Sequence, residues 1–149
     1  MVGLPCSGKT TLAHKLEHDL PALRLALDEC HIQLFGQDAE EPEHDTRHRQ
    51  IEAMLWNIAS RALGLGMNVI LDYGFWAREE REDYRARARR LGAGSEVHFL
   101  DISEEELLRR LKQRNSLPSQ ESFYISEGAI KPWVAFFQKP TPDELSRRE

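Results

Sequence analysis

The 149-residue chain is poor in cysteine, has no long hydrophobic run and carries no excess of basic residues. Its two cysteines, Cys6 and Cys30, make no disulfide framework, which points to a reducing, cytoplasmic compartment. No stretch approaches the ~18 consecutive apolar residues of a membrane span, and with no signal peptide visible in the sequence none is expected. No membrane partner is therefore expected. A formal net charge of −5, with a pI near 5.7, disfavours broad binding to nucleic acid or anionic surfaces and leaves room only for a local basic patch. Internal repeats and low-complexity segments are absent as well. What remains is 40% apolar and 30% charged, the balance of a soluble globular protein, and the length suits a single domain over residues 1–149.

The strongest pattern present is Gly3-Leu4-Pro5-Cys6-Ser7-Gly8-Lys9-Thr10. It fits G-x-x-x-x-G-K-[ST], a phosphate-binding loop (P-loop). Gly3 and Gly8 allow backbone turns that side chains would block. Such a loop aims successive backbone N–H groups at a β-phosphate, and the next helix adds its positive end. Lys9 then supplies charge between the β- and γ-phosphates, and the Thr10 hydroxyl is a Mg²⁺ ligand. Leu12, Ala13, Leu16 and Leu20 lay an apolar face along the following segment, so the loop opens a helix as its chemistry requires. The strand expected ahead of Gly3 is reduced to Met1 and Val2.

Strand and helix patterns alternate along the rest of the chain. A helix from about Gly8 to Asp19 is broken at Pro21. Leu23 to Leu27 reads as a strand ending at Asp28, followed by a short helix from Glu29 that stops at Gly36. Residues 37–45 are acidic and aperiodic, a mobile surface loop. A helix over 46–63 buries the stripe Ile51, Met54, Leu55, Ile58, Ala59 and Ala62. Met67 to Asp72 is the clearest strand, apolar enough to be buried on both faces. A highly charged, mostly solvated helix covers 77–91, and Glu96 to Asp101 is a further strand. Ser103 and Glu106 form a capping box whose helix turns Leu107, Leu108 and Leu111 inward. Asn115 to Ser122 is a loop, and in a helix from Ser126 to Phe137 Pro132 predicts a kink or a restart at Trp133. The tail from Asp143 is expected to be exposed. The fold class is therefore α/β, with a parallel sheet between helices on both faces and right-handed crossovers. In such sheets the loops at the strands' carboxyl ends build the site, here the P-loop, Asp28, Asp72 and the segment after Asp101.

Asp28 is placed to act as the base that orients an acceptor hydroxyl, or alternatively to cap the helix after it. Asp72 pairs with Lys9 and Thr10 on the Mg²⁺ side, or caps its strand. Arg110 and Arg114 share a helix face and could close over phosphates, or pair with Glu104 to Glu106 on a solvated face together with Arg109. Of the arginines on the charged helix, only Arg78 stands where it could touch a substrate. His44 and His48 are i, i+4 but have no third metal ligand at a convincing spacing. Trp133, Phe136 and Phe137 read as core.

Four ordered segments, G-L-P-C-S-G-K-T-T-L-A, L-A-L-D-E, V-I-L-D-Y-G-F-W and L-R-R-L-K-Q-R-N, resemble the small P-loop predicted kinases often labelled AAA-type ATPases. Zeta toxins, chloramphenicol phosphotransferase, polynucleotide kinases, gluconate and shikimate kinases and adenylate kinase are in the wider group. The likeness covers nearly the whole chain and implies a three-layer P-loop NTPase fold. It also implies ATP and Mg²⁺ as cofactors and transfer of a phosphoryl group to a hydroxyl of a small-molecule acceptor. Gly3, Pro5, Cys6, Ser7, Gly8, Lys9, Thr10 and Thr11 are expected to bind the nucleotide, and by that resemblance Ser7 to Thr11 hold the ATP phosphates, with Arg110 and Arg114 as arginines of a lid spanning about 109–125. Asp28, Asp72 and Arg78 would meet the acceptor, and Phe137 to Pro142 would lie near the adenine. Cys6 stands where the family more often has glycine, and Pro132 interrupts a family helix. The short first strand and the absence of the family's last strand lead us to expect about four strands. Two alternatives stay open: a nucleotide-binding switch module without phosphotransfer, and a polynucleotide 5′-kinase, which the acidic charge counts against.

Overall fold

The computed structural model describes residues 1–117 and 122–149. Its elements are α1 (Lys9–Asp19), β1 (Ala22–Ala26), α2 (Leu27–Phe35), α3 (His44–Gly64), β2 (Asn68–Asp72), α4 (Arg78–Arg90), α5 (Glu104–Asn115), α6 (Ile130–Phe136) and α7 (Pro142–Leu145). A 3₁₀ turn, Glu127–Ala129, leads into α6.

β1 and β2 pair in parallel, from Ala22 opposite Asn68 to Ala26 opposite Asp72. Among the described residues they form the whole regular sheet, two strands where about four were expected. Two further segments extend it by single bridges. Val2 pairs in parallel with Gly74 on one side and Phe99 on the other. The Met1 nitrogen donates to the Leu71 carbonyl (2.8 Å) and Gly3 N–H to Gly74 O (3.1 Å). Val2 N–H donates to His98 O (2.8 Å), and Val2 O accepts from Leu100 N–H (3.1 Å). These segments stay short for a local reason. Gly3 at φ 148°, Gly74 at φ 113° and Phe75 at φ 48° leave extended geometry at once. The expected strand Glu96–Asp101 shrinks to its Phe99 bridge, while Ser95 pairs antiparallel with Arg148.

β1 ends at Ala26, and α2 begins at Leu27 without a connecting residue, so Asp28 sits in the first helical turn rather than at the strand end. Gly36 at φ 74° ends α2. α3 packs Ile51, Leu55 and Ala59 on Leu25 and Leu27. Met54 and Ile58, assigned to that stripe, are 46% and 41% exposed. The apolar face is narrower than the pattern suggested. β2 is half-buried along Val69 to Leu71 rather than enclosed on both faces, exposed at Asn68 and buried at Asp72. Ser103 caps α5 by accepting from Glu106 N–H (3.2 Å), and Leu107 and Leu111 are buried. Pro132 falls in the first turn of α6, where its missing N–H costs little.

α4 departs most from expectation. Arg81 and Arg85 are buried within it. Arg81 Nε and Nη2 donate to the two carboxylate oxygens of Glu144 (2.7 and 3.2 Å), and Nη1 to Phe75 O (3.1 Å). Arg85 donates to the carbonyls of Glu144 (2.6 Å) and Ser146 (2.7 Å). Glu144 belongs to α7, which Thr141 and Glu144 close with a capping box. The segment read as an exposed tail is thus pinned by two guanidiniums. No helix among the described residues is long and apolar enough to cross a membrane.

The bonds from Arg81 hold the Glu144 carboxyl down at about 2, against an ordinary value of 4.5. A depressed carboxyl stabilises the fold fully above its unfolded value and loses that contribution as pH falls through the folded one. Wild-type stability attributable to this pair should therefore be constant above about pH 4.5 and fade toward pH 2. A Glu144→Gln variant should lose this acid-dependent part of a denaturation–pH profile. Glu144→Ala, which leaves a buried guanidinium unpaired, should cost ~3–5 kcal/mol in urea unfolding at neutral pH.

Candidate functional site

At the carboxyl ends of β1 and β2 lies a cavity of about 990 Å³, at the upper end for a small-molecule pocket. One wall is the loop that opens α1, from Pro5 to Thr11. Gly3 starts this loop at φ 148°, and a Cβ there would stand 2.7 Å from Ser7 Oγ and 3.1 Å from Leu100 O. Gly8 caps α1 at φ 100°, and Cys6, a non-glycine residue, sits at φ 63°. The loop is thus curled into the geometry its glycines permit. Ser7 is buried, and its hydroxyl has no partner among the described residues. Lys9 Nζ folds back onto Leu4 O (2.9 Å). Burial depresses the Lys9 ammonium, opposed by the charges of Asp72 and Asp28. Burial also pushes up the Cys6 thiol, against the pull of Arg114, Lys9 and Arg110.

Asp28, in the first turn of α2, and Asp72, the last residue of β2, line the cavity with Lys9 and Thr10. Burial raises the Asp28 carboxyl, against the opposing charges of His48 and Lys9. Asp72 is buried and accepts from Arg24 Nη2 (3.0 Å) and Nε (3.2 Å). Arg24 also pairs with Glu29, so a guanidinium not picked out from the sequence neutralises the Asp72 side of the site.

Arg110 and Arg114 both face the cavity from α5. Arg110 Nε is held by Glu106 (2.6 Å), and its Nη1 approaches the carbonyls of Cys6 and Ser7, each at 3.4 Å. Arg114 Nη2 donates to Phe123 O (3.1 Å). Arg109 pairs with Glu106 on the outer face and is not among the lining residues. Of the expected lid, residues 118–121 lie outside the described residues. Its flank from Ser122 to Ser126 lines the cavity.

Two expectations need correction. Arg78 does not line the cavity. It donates to Thr141 Oγ1 (3.0 Å) and Asp143 Oδ2 (2.8 Å) and so holds the chain end. The turn at Gly74 and Phe75 directs Tyr73, Phe75 and Trp76 at the cavity instead. Phe137 to Pro142 also lies off it: Phe137 stacks on Phe99 (5.9 Å between centroids), and Gln138 N–H donates to Trp76 O (3.0 Å). The aromatic ring of α6 that reaches the cavity is Trp133, while Phe136, read as core, is 75% exposed.

A group of histidines meets beside Asp28. His31 of α2 lies with its Nδ1 2.9 Å from Nδ1 of His48 on α3. Asp38 accepts from His31 Nε2 (3.0 Å), His44 Nδ1 (2.7 Å) and Arg47 Nη1 (2.8 Å). Burial would raise the Asp38 carboxyl, but the bonds from His44, Arg47 and His31 outweigh it and hold the group well below the usual carboxylate range. The loop read as a mobile surface segment is therefore anchored by a buried side chain, Asp38. His31 was not singled out from the sequence. Its signal was the density of histidine between residues 31 and 48, with Asp38 among them.

The loop's curl can be checked directly. Gly3→Ala should cost ~1–3 kcal/mol in urea unfolding, because the new Cβ meets Ser7 and a backbone carbonyl at a left-handed φ. Gly64→Ala, at the end of α3 with open space around it, should be neutral or stabilise by up to about 1 kcal/mol.

A comparison with curated proteins finds no match. A family model described as "AAA domain" matches residues 1–140, which takes in the phosphate loop, both strands, the aspartates and the α5 arginines. With that match over most of its length, the chain belongs to the AAA domain family, a family of P-loop NTPase-like proteins.

Proposed function

We propose that the protein is an ATP- and Mg²⁺-dependent phosphotransferase acting on a hydroxyl of a small molecule. The observation that carries this reading is the sharing of one cavity by Lys9 and Thr10, by Asp28, and by Arg110 and Arg114. Phosphate-holding groups, a carboxylate base and the two α5 guanidiniums then flank the same space, the set that phosphoryl transfer uses.

The loop's own chemistry supports a phosphate ligand. Lys9 lines the cavity and rests on a neutral carbonyl that it can exchange for an anion. Thr10 and Asp72 are the residues that would hold Mg²⁺, which when bound neutralises charge on the β- and γ-oxygens. Arg24 already covers part of Asp72, so this carboxylate is suited to a contact through water. Asp28 takes the acceptor's proton, and its buried setting makes it the stronger base. Arg110, braced by Glu106 against the loop carbonyls, neutralises charge that develops on the transferred group.

The rest of the lining speaks to the acceptor. Glu29, Glu40, Glu52 and Glu80 face the space beyond Asp28. An acidic wall repels a polyanion, so a neutral or cationic small molecule is favoured over a nucleic-acid end.

ATP consumption with Mg²⁺, measured across sugars, nucleosides and aminated antibiotics, tests the reading. One acceptor should stimulate turnover. Lys9→Ala should weaken ATP binding about tenfold or more, the loss of one hydrogen bond to a charged group. Asp28→Asn should lower transfer ~10²–10⁴-fold while sparing ATP binding. Tight ATP binding with no stimulation by any acceptor would instead favour a nucleotide-dependent switch.

A further inference from the structure

We propose that His31, His44 and His48 form a binding site for a tetrahedrally coordinated transition-metal ion of the Zn²⁺ class. The proposal goes beyond the phosphotransferase reading and does not rest on it. Each of the three rings offers a nitrogen, and these atoms lie within 4.8 Å of one another. Two rings come from successive turns of α3, where i, i+4 spacing puts them on one face. The third comes from α2, which packs against that face.

Asp38 prepares the donors. An ionised carboxylate can only accept, so a neutral ring facing it must carry its proton on the facing nitrogen. Asp38 thereby places hydrogen on His31 Nε2 and His44 Nδ1. The lone pairs are left on His31 Nδ1 and His44 Nε2. A carboxylate behind a ligating imidazole is the usual support of a metal site. His31 Nδ1 in turn faces His48 Nδ1 at 2.9 Å. Without metal, His48 donates the proton that joins them. On binding, that proton moves to His48 Nε2, and the ion takes its place with no change of ring charge.

The dimensions are within reach. Zinc–nitrogen bonds of about 2.0–2.1 Å at tetrahedral angles set ligand nitrogens roughly 3.3 Å apart. The close pair must open slightly and the widest approach must close, both by side-chain rotation. The rings are already confined. His31 and His44 stack at 4.6 Å, and Phe123 meets both edge-on at 5.2 Å. His31 is fully buried, while His44 and His48 line the cavity. The open side of the cluster is thus the cavity side, where a fourth ligand could be water or an oxygen or nitrogen of a cavity ligand. Three imidazoles suit zinc, copper or nickel and not the oxygen-seeking Mg²⁺, which keeps this site distinct from Thr10 and Asp72.

His14 and His18 form an exposed i, i+4 pair on α1 that could hold metal weakly, so the test starts from the His14→Ala/His18→Ala variant. The full chain, stripped by chelation and free of nucleotide, is titrated with Co²⁺ and followed by visible absorption. The expected result is stoichiometric binding with the intense bands of tetrahedral cobalt, displaced by Zn²⁺ and accompanied by a rise in Tm. His44→Ala and His48→Gln should each weaken binding at least tenfold, with circular dichroism confirming that they fold. Absence of stoichiometric tetrahedral binding in the parent variant would overturn the proposal without touching the nucleotide site. Binding unchanged in both histidine variants would overturn it equally.

Discussion

Val2 is the residue on which the arrangement depends. It is almost completely buried and lies between two chain segments that make no direct ladder with each other. Its backbone joins the end of β2 to the segment before α5 through four hydrogen bonds shared with Met1 and Gly3. Gly3 follows at once, so the phosphate loop is hung from the centre of the layer rather than from an edge. The same seam brings α5 alongside, which is how Arg110 reaches the carbonyls of Cys6 and Ser7. Two five-residue strands would be a slender support for such a loop, and the seam doubles the number of segments that fix its origin.

The cavity that results is electrically divided. Lys9, Arg110 and Arg114 make one half basic. Asp28, Glu29, Glu40, Glu52 and Glu80 make the other acidic, with Arg24 clamped between Glu29 and Asp72 at the join. In the proposed reaction this division separates the two reactants by charge before any specific contact forms. The anionic donor has a single favourable side, and the acceptor meets the carboxylate that would take its proton.

How far this could be read in the sequence followed the range of the interactions. The loop from Gly3 to Thr10 was legible because its geometry is written in adjacent glycines and completed by the helix it opens. The Ser103–Glu106 cap was legible for the same reason. Asp28 was assigned to the end of a strand and lies in a helix, because Leu27 continues the apolar strand pattern while already in helical backbone. The buried partners were not legible. Arg81 looks like its neighbours on α4, and what separates it is a glutamate 63 residues later. Arg24 meets Asp72 across 48 residues, and His31 meets His48 only after α2 folds onto α3. Charge patterning along one helix cannot tell which guanidinium will find a distant carboxylate, and periodicity does not count histidines across elements.

The two buried arginines of α4 also tie residues beyond the family match to the domain. The family match stops at residue 140, yet the carboxylate that meets Arg81 and two carbonyls that meet Arg85 are supplied by Glu144 and Ser146. Those few residues do for the guanidiniums what water does for an exposed arginine: they are an internal solvent made of chain. A boundary drawn by similarity alone would therefore remove the solvation shell of a helix that similarity assigns to the domain.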